Sequence, residues 1–388
     1  MKRILLALIC LLVLLSGCLP GAPDTGPEKI AKDGEDEKVV ISEDINTTER
    51  YYRSVIPYSP GSSRGFILNG VDNRLDIDEF ETGLMRISQE VFDPDKYVLQ
   101  EGHILSKEDI QSWIDRRSDN KKGLNPKLGV GKSASVKEKL EANKKNPKYL
   151  SFVLEQDYFV QKKDDNVELA GISIGISLNS IYYFTVTDKE GKIHSGTVDL
   201  RKDQGKVIAE GKKMAQQIVN DIREKKDAKN VPIMVAIYQE EAQESLIPGR
   251  FVAYTSVGGG KTNIGNWEDV KERYYLLPSS EAMKDHRGDA EKFDNFKSKV
   301  EGFFPNFTGV VGRAFYKEGE LQRMTIEIPM QFYGKSEIIA FTQYVTGLVT
   351  SNLFEDIPIE VYISSMGRQE AIIVKDPHEK EPFVHIYR

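Results

Sequence analysis

The chain has 388 residues, with 53 basic against 60 acidic side chains, a net charge of −7 and 39% hydrophobic residues. That is chain enough for two or three cores, and its acidic balance supplies no basic surface for a nucleic-acid partner. Both cysteines, Cys10 and Cys18, sit in the first segment, which excludes disulfides and cysteine-ligated metals from everything after it.

Lys2 and Arg3 precede an apolar run from Ile4 to Leu15. The run is too short for the roughly twenty residues of a spanning helix, and residues 1–17 have the proportions of a signal peptide. Leu15-Ser16-Gly17-Cys18 follows: a branched apolar residue, two small residues and a thiol, the order of a bacterial lipobox. Small side chains let a peptidase reach the backbone. Cleavage is therefore expected between Gly17 and Cys18, with the Cys18 thiol carrying lipid and, after processing, palmitate. Two acyl chains make a stable hold on a bilayer where one does not. The membrane is thus the first expected partner, with the body lipid-anchored, extracytoplasmic and on the outer face of the cytoplasmic membrane. Residues 18–50 carry Pro20, Gly21, Pro23, Gly26, Pro27 and an acidic run around Asp33 to Glu37. Little apolar surface is available there to repay ordering, so they read as a flexible acidic tether.

Residues 51–148 form an N-terminal mixed α+β region. Gly65-Phe66-Ile67-Leu68 is an apolar run of strand length, and Asp78 to Glu90 places Phe80, Leu84 and Ile87 on one helical face. Ser106-x-x-Asp109 is a capping box that opens a helix with Ile110, Trp113 and Ile114 on its apolar stripe. Gly123-Leu124-Asn125-Pro126 closes that unit. The lysine-rich stretch from Lys132 to Lys148 predicts a solvated helix and linker.

The remainder reads as one unit twice, which makes the fold class α+β with a tandem repeat of hairpin, helix, strand and strand. Repeat 1 (149–280) has a hairpin from Ile181 to Leu200 about Lys189-Glu190-Gly191, a helix from Lys206 to Ile222, and strands at Val231 to Ile237 and Gly249 to Thr255. Repeat 2 (281–388) has a hairpin from Val310 to Met330 about Lys317-Glu318-Gly319. Its helix runs from Lys335 to Thr350, with strands at Ile357 to Ile363 and Phe383 to Tyr387.

Several stretches imitate chemical motifs. Gly171-Ile172-Ser173-Ile174-Gly175 has the nucleophile pattern, but its flanks continue as strand where an elbow needs a helix, so Ser173 reads as a strand serine. Gly258-Gly259-Gly260-Lys261-Thr262 lacks the first glycine of a phosphate loop, Thr255 standing there, and reads as a surface connection. Asp76-Ile77-Asp78 lacks the later ligands of a calcium loop; with Glu79 and Glu81 it reads as an acidic helix N-terminus. His103, His194, His286, His378 and His385 include no pair at the spacing of a zinc helix. No catalytic, cofactor or metal set emerges, and none is expected.

A long ordered series of stretches does stand out. It runs through Arg64-Gly65, Asn73-Arg74, Gly83-Leu84, Glu101-Gly102, Trp113, Gly123-Leu124-Asn125-Pro126 and Leu154-Glu155-Gln156. Phe303-Phe304-Pro305-Asn306-Phe307, Ile328, Gln331-Phe332-Tyr333-Gly334 and Gln343-Tyr344 complete it. In these the chain resembles the CamS family, the sex pheromone precursor lipoproteins of Gram-positive bacteria. The resemblance implies a two-repeat exported body and a short hydrophobic peptide released from the signal segment, a mating pheromone for plasmid-bearing enterococci. By position that peptide is Leu11-Leu12-Val13-Leu14-Leu15-Ser16-Gly17.

The expected function is therefore a non-enzymatic, membrane-tethered lipoprotein whose body binds a peptide, a protein or a cell-wall component. Two rivals remain open at this stage. A cell-envelope hydrolase would require two carboxyls about 5–10 Å apart in a cleft, one with a raised pKa. A solute-binding lipoprotein would show two open lobes around a ligand.

Overall fold

The computed structural model describes residues 40–45, 50–119, 121–162, 166–303, 309–332 and 334–388. In chain order the elements open with β1 (Val40–Ile41), β2 (Val55–Ile56), α1 (Arg74–Ser88), β3 (Val98–Glu101) and α2 (Lys107–Ile114). Then come β4 (Arg117–Ser118), β5 (Lys121–Lys122), α3 (Val136–Lys145), β6 (Leu150–Gln161), β7 (Val167–Leu178), β8 (Ile181–Thr187) and β9 (Ile193–Asp199). The middle holds α4 (Gln204–Glu224), β10 (Ile233–Gln239), β11 (Arg250–Val257), β12 (Glu268–Asp269) and β13 (Glu272–Leu277). Last are α5 (Ser280–Asp285), α6 (Arg287–Glu301), β14 (Val311–Lys317), β15 (Glu320–Met330), α7 (Lys335–Asn352), β16 (Ile359–Ser365), β17 (Arg368–Lys375) and β18 (Phe383–Ile386).

Two six-stranded sheets organise these elements. The first has the order β12-β11-β10-β7-β6-β3 and the second β13-β14-β15-β16-β17-β18. In each, one parallel pair, β7 with β10 or β15 with β16, is joined by a helical crossover through α4 or α7, and every other pairing is antiparallel. The class is α+β, as the sequence predicts.

The repeat units drawn from the sequence do not coincide with the sheets. The Ile181 to Leu200 hairpin, β8 with β9, is a separate two-stranded ribbon outside both six-stranded sheets. The hairpin that feeds the first crossover is β6–β7 instead. In the second sheet the neighbour of β16 is β17, which the repeat pattern passes over, and Phe383 to Ile386 lies beyond it at the edge. Matching turn tripeptides cause the misalignment. Both turns hold left-handed residues: Gly191 has φ 83°, and Glu318 and Gly319 have φ 54° and 85°. A hairpin needs that conformation wherever it occurs.

Residue parity on β7 sets the layers of the first sheet. Gly171, Ser173 and Gly175 face α1. A methyl group added at Gly171 would lie 2.4 Å from Phe92, and one at Gly175 would lie 2.7 Å from Phe80. The Gly-x-Ser-x-Gly pattern is thus a track on which aromatic rings sit. Ser173 itself is fully buried, 2.7 Å from Ser88 Oγ at the end of α1. The even positions face α4, where Leu178 packs over Gly211. The core of this layer takes in Tyr52, Phe80, Leu84 and Trp113 from the N-terminal region together with Ile174, Ile218 and Val235. A second core, including Phe293, Phe296, Phe341, Val345, Ile359 and Val361, lies between the second sheet and α6 and α7.

Start signals with a local cause appear where the sequence places them. Ser106 and Asp109 form the reciprocal capping box, and Ile110, Trp113 and Ile114 are buried. Asn125 is fully buried and spends its whole amide on backbone: it donates to the Ile114 and Leu150 carbonyls and accepts from the Tyr149 and Leu150 amides. It thereby ties the unit closed by Gly123 to the start of β6. The predicted strand at Gly65 to Leu68 is instead a 3-10 turn, Phe66–Asn69, entered through Gly65 at φ 73°. A short apolar run fits either form, and the left-handed glycine decides it.

Candidate functional site

Cys18, the cleavage pair Gly17 and Cys18, and the peptide Leu11 to Gly17 all lie outside the described residues, as do Phe304 to Phe307 and Tyr333 of the resemblance series. Several other stretches of that series converge in space. Arg64, Gly65, Glu101, Gly102, Leu154, Glu155 and Gln156 line one cleft of about 240 Å³ between the 58–67 segment, α1, β3 and β6. Ile67, Met85, Leu99 and Phe152 give it an apolar wall. Glu101 orders the rim: its carboxylate accepts from the Gly61 amide at 2.6 Å and from the Tyr58 hydroxyl, with Arg64 Nε 3.6 Å away.

Behind the cleft, Glu155 and Asp157 project from the same face of β6, 4% and 1% exposed. Three successive backbone amides point at them. Asp157 Oδ2 accepts from His103 at 2.9 Å, and Glu155 accepts from Ile104 at 3.1 Å and Leu105 at 2.9 Å. Burial first, and then the charge of Glu155, hold Asp157 well above the usual carboxylate range; burial raises Glu155 as well. Asp157 Oδ1 has no hydrogen-bond partner among the described residues.

This pair is a backbone anchor. Carboxyls that flank a glycosidic bond stand about 5 Å or more apart, with room for sugar or water between them. Here the chain from Gly102 to Leu105 wraps over both carboxyls, and its backbone amides bond to them. Gly102 is essential to that wrap, because an added methyl group would lie 2.3–2.5 Å from the Glu155 side chain, its Cβ included. Gly102→Ala should therefore cost about 2–4 kcal/mol through overpacking; urea denaturation checks it, and a loss under about 0.5 kcal/mol would show that the loop does not press on Glu155.

Sequence reading misses these acids, although a signal exists. Glu155 and Asp157 alternate with Leu154, Gln156 and Tyr158 in an otherwise buried strand, the spacing that puts two charges on one inner face. It also misplaces Asp76. Asp76 caps nothing in solvent: it is 1% exposed and accepts from Tyr238 Oη at 2.8 Å, the Gly249 amide at 2.5 Å and the Glu241 amide at 3.1 Å. Burial pushes it up to about 7 against those three hydrogen bonds. The N-cap of α1 is Asn73, whose side chain accepts from the Leu75 amide at 2.8 Å. His385 is exposed on edge strand β18, and His286 stacks on Tyr316 with ring centroids 3.7 Å apart. Gly258 to Gly260 form the turn after β11, held by the Arg223 guanidinium on the Gly258 and Lys261 carbonyls.

Fold and cleft together define an α+β class of protein with two six-stranded sheets bridged by helices, and that class has solved members. The chain aligns with the crystal structure of a sex pheromone precursor from Lactobacillus salivarius subsp. salivarius UCC118 at a TM-score of 0.77 and 33% identity, covering 90% of this chain and 99% of that one. It also aligns with the C-terminal domain of the sex pheromone staph-cAM373 precursor from Staphylococcus aureus, at 0.65 and 30% identity, over 83% and 99% of the two chains. No curated protein matches it. The family described as CamS sex pheromone cAM373 precursor matches residues 58–381. The chain belongs to the CamS sex pheromone precursor family.

Proposed function

We propose that this precursor is an extracytoplasmic lipoprotein held on the membrane through Cys18, with a non-enzymatic binding body and a leader that yields the peptide Leu11 to Gly17. The carrying observation is the family match over 58–381 on a chain whose head has signal-peptide proportions ending in Leu15-Ser16-Gly17-Cys18. Among the described residues no helix is long and apolar enough to cross a membrane, so attachment by the body would need another device. The burial of Glu155 and Asp157 under three backbone amides speaks against a hydrolase built on that pair. The cleft above it supports recognition, with an apolar wall and a rim that mixes Glu81, Glu101 and Arg64.

Metabolic labelling with palmitate tests the anchor. The wild-type chain should carry label and Cys18→Ala should lose it; label kept by the variant removes the anchor from this reading. Mass spectrometry of the same culture supernatant should show the heptapeptide Leu-Leu-Val-Leu-Leu-Ser-Gly, and its absence removes the pheromone part.

A further inference from the structure

A second cavity, of about 290 Å³, opens at the carboxyl ends of the parallel strands β7 and β10. Crevices at that end of a parallel pair, beside a crossover, are where sheets of this kind take small ligands. The lining is strongly polar. Most of its polar groups are already engaged: Arg201 grips Asp199 through two bonds, Arg273 pairs with Glu281, Gln204 donates to Gln239, and Glu240 accepts from Ser177 and Ser151.

Three groups are left over among the described residues. Arg250, half-buried at the start of β11, has no ion pair within 4 Å and no side-chain hydrogen bond there. Glu241, also half-buried, has no cationic partner at that distance. Ser180, 2% exposed, has a hydroxyl without a partner. A buried hydroxyl left unsatisfied costs stability, as does a desolvated charge without a counter-charge. Burial, followed by the nearby Arg273 guanidinium, lowers the Arg250 pKa, so the surrounding acids do not offset its desolvation. Glu241 is the mirror case: burial raises it, and the Ala242 amide and the more distant Arg201 and Arg250 charges only partly offset that.

We infer that this cavity binds a small zwitterion of the free amino acid class, its carboxylate on Arg250, its ammonium on Glu241 and Ser180 bonding one of the two. An anion alone would leave Glu241 without a cation within 4 Å, and a cation alone would leave Arg250 without an anion at that distance. A peptide C-terminus lacks the adjacent ammonium and a peptide N-terminus lacks the adjacent carboxylate. The volume, at the small end for ligand pockets, suits a single residue. The inference deepens the reading of the body as a binding scaffold and is independent of the anchor, so a negative result here leaves the Cys18 labelling experiment intact.

Titration calorimetry on the full chain tests it, using the free L-amino acids and D-alanine, each beside its N-acetyl and carboxamide derivatives. At least one free amino acid should bind with a Kd on the order of 1 mM or tighter. Both of its blocked derivatives should bind at least about tenfold more weakly, since each leaves one buried charge unpaired. Arg250→Lys, Glu241→Gln and Ser180→Ala should each weaken binding. Ser180→Ala removes an unsatisfied hydroxyl, so it should fold with undiminished Tm and separates lost binding from lost structure. No binding by any free amino acid at about 10 mM, equal binding of a blocked derivative, or binding indifferent to Arg250→Lys and Ser180→Ala in folded protein would each overturn the proposal.

Discussion

Arg86→Met should be among the most damaging single substitutions in the body, costing about 3–5 kcal/mol. Arg86 leaves α1 at the seam between the two sheets. It donates to Glu79 Oε1 at 2.5 Å and grips Glu272 on β13 with two bonds, at 3.1 and 2.8 Å. The side chains of Glu79 and Glu272 are 5% and 1% exposed. Tyr274 donates to Glu79 Oε2 at 2.5 Å, Arg323 stands 3.4 Å from the same oxygen, and both guanidiniums lie 4.7 Å from the Phe315 ring. Losing Arg86 leaves Glu272 as a buried carboxylate without its counter-charge, whereas Glu79 keeps Arg323. The double variant Arg86→Met/Glu272→Gln should therefore recover a large part of the loss. Chemical denaturation of the two variants measures it, and a loss below about 1 kcal/mol for Arg86→Met would show that the seam is not held by this ion cluster.

The second large effect is on pH. Glu240 is buried at the end of β10, where desolvation, followed by the charge of Asp76, pushes it up to about 8. Asp76 itself is raised to about 7. Asp157 moves in the same direction. A carboxyl whose folded pKa lies above its unfolded value binds more protons in the native state. Its contribution is fully present below about pH 4 and is lost as pH rises through the folded value. The body should thus be more stable at pH 5 than at pH 8.5, with Tm lower by roughly 5–10 °C at the higher pH. Glu240→Gln should flatten that slope and raise Tm at pH 8.5, because the amide resembles the protonated acid and the Ser151 and Ser177 hydroxyls still have an oxygen to donate to. Scanning calorimetry across this range decides it. A wild-type Tm that rises between pH 5 and 8.5 contradicts the assignment.

These two clusters mark where the sequence stops being legible. Elements with a local cause are readable: Ser106 and Asp109 cap α2 because both partners lie within one turn, and the stripe Ile338, Phe341, Val345 and Leu348 is buried as its spacing requires. The Leu15-Ser16-Gly17-Cys18 order and the family stretches are local in the same sense, being contiguous side chains. Strand pairing is not local. Nothing in Lys189-Glu190-Gly191 distinguishes a hairpin inside a sheet from a ribbon beside it, so the sequence alone puts β8–β9 in the place that belongs to β6–β7.

What the sequence determined by itself was the α+β class, a head of signal-peptide proportions and the family. The tertiary structure alone decided which charges are buried. Asp76 looks like any acidic first-turn residue until Tyr238 and Gly249 close over it, and Glu79 like any surface glutamate until Arg86 and Tyr274 enclose it. Local sequence sets backbone conformation through short-range sterics and hydrogen bonds. Desolvation depends on what a distant segment brings alongside, and that is settled only when the sheets assemble.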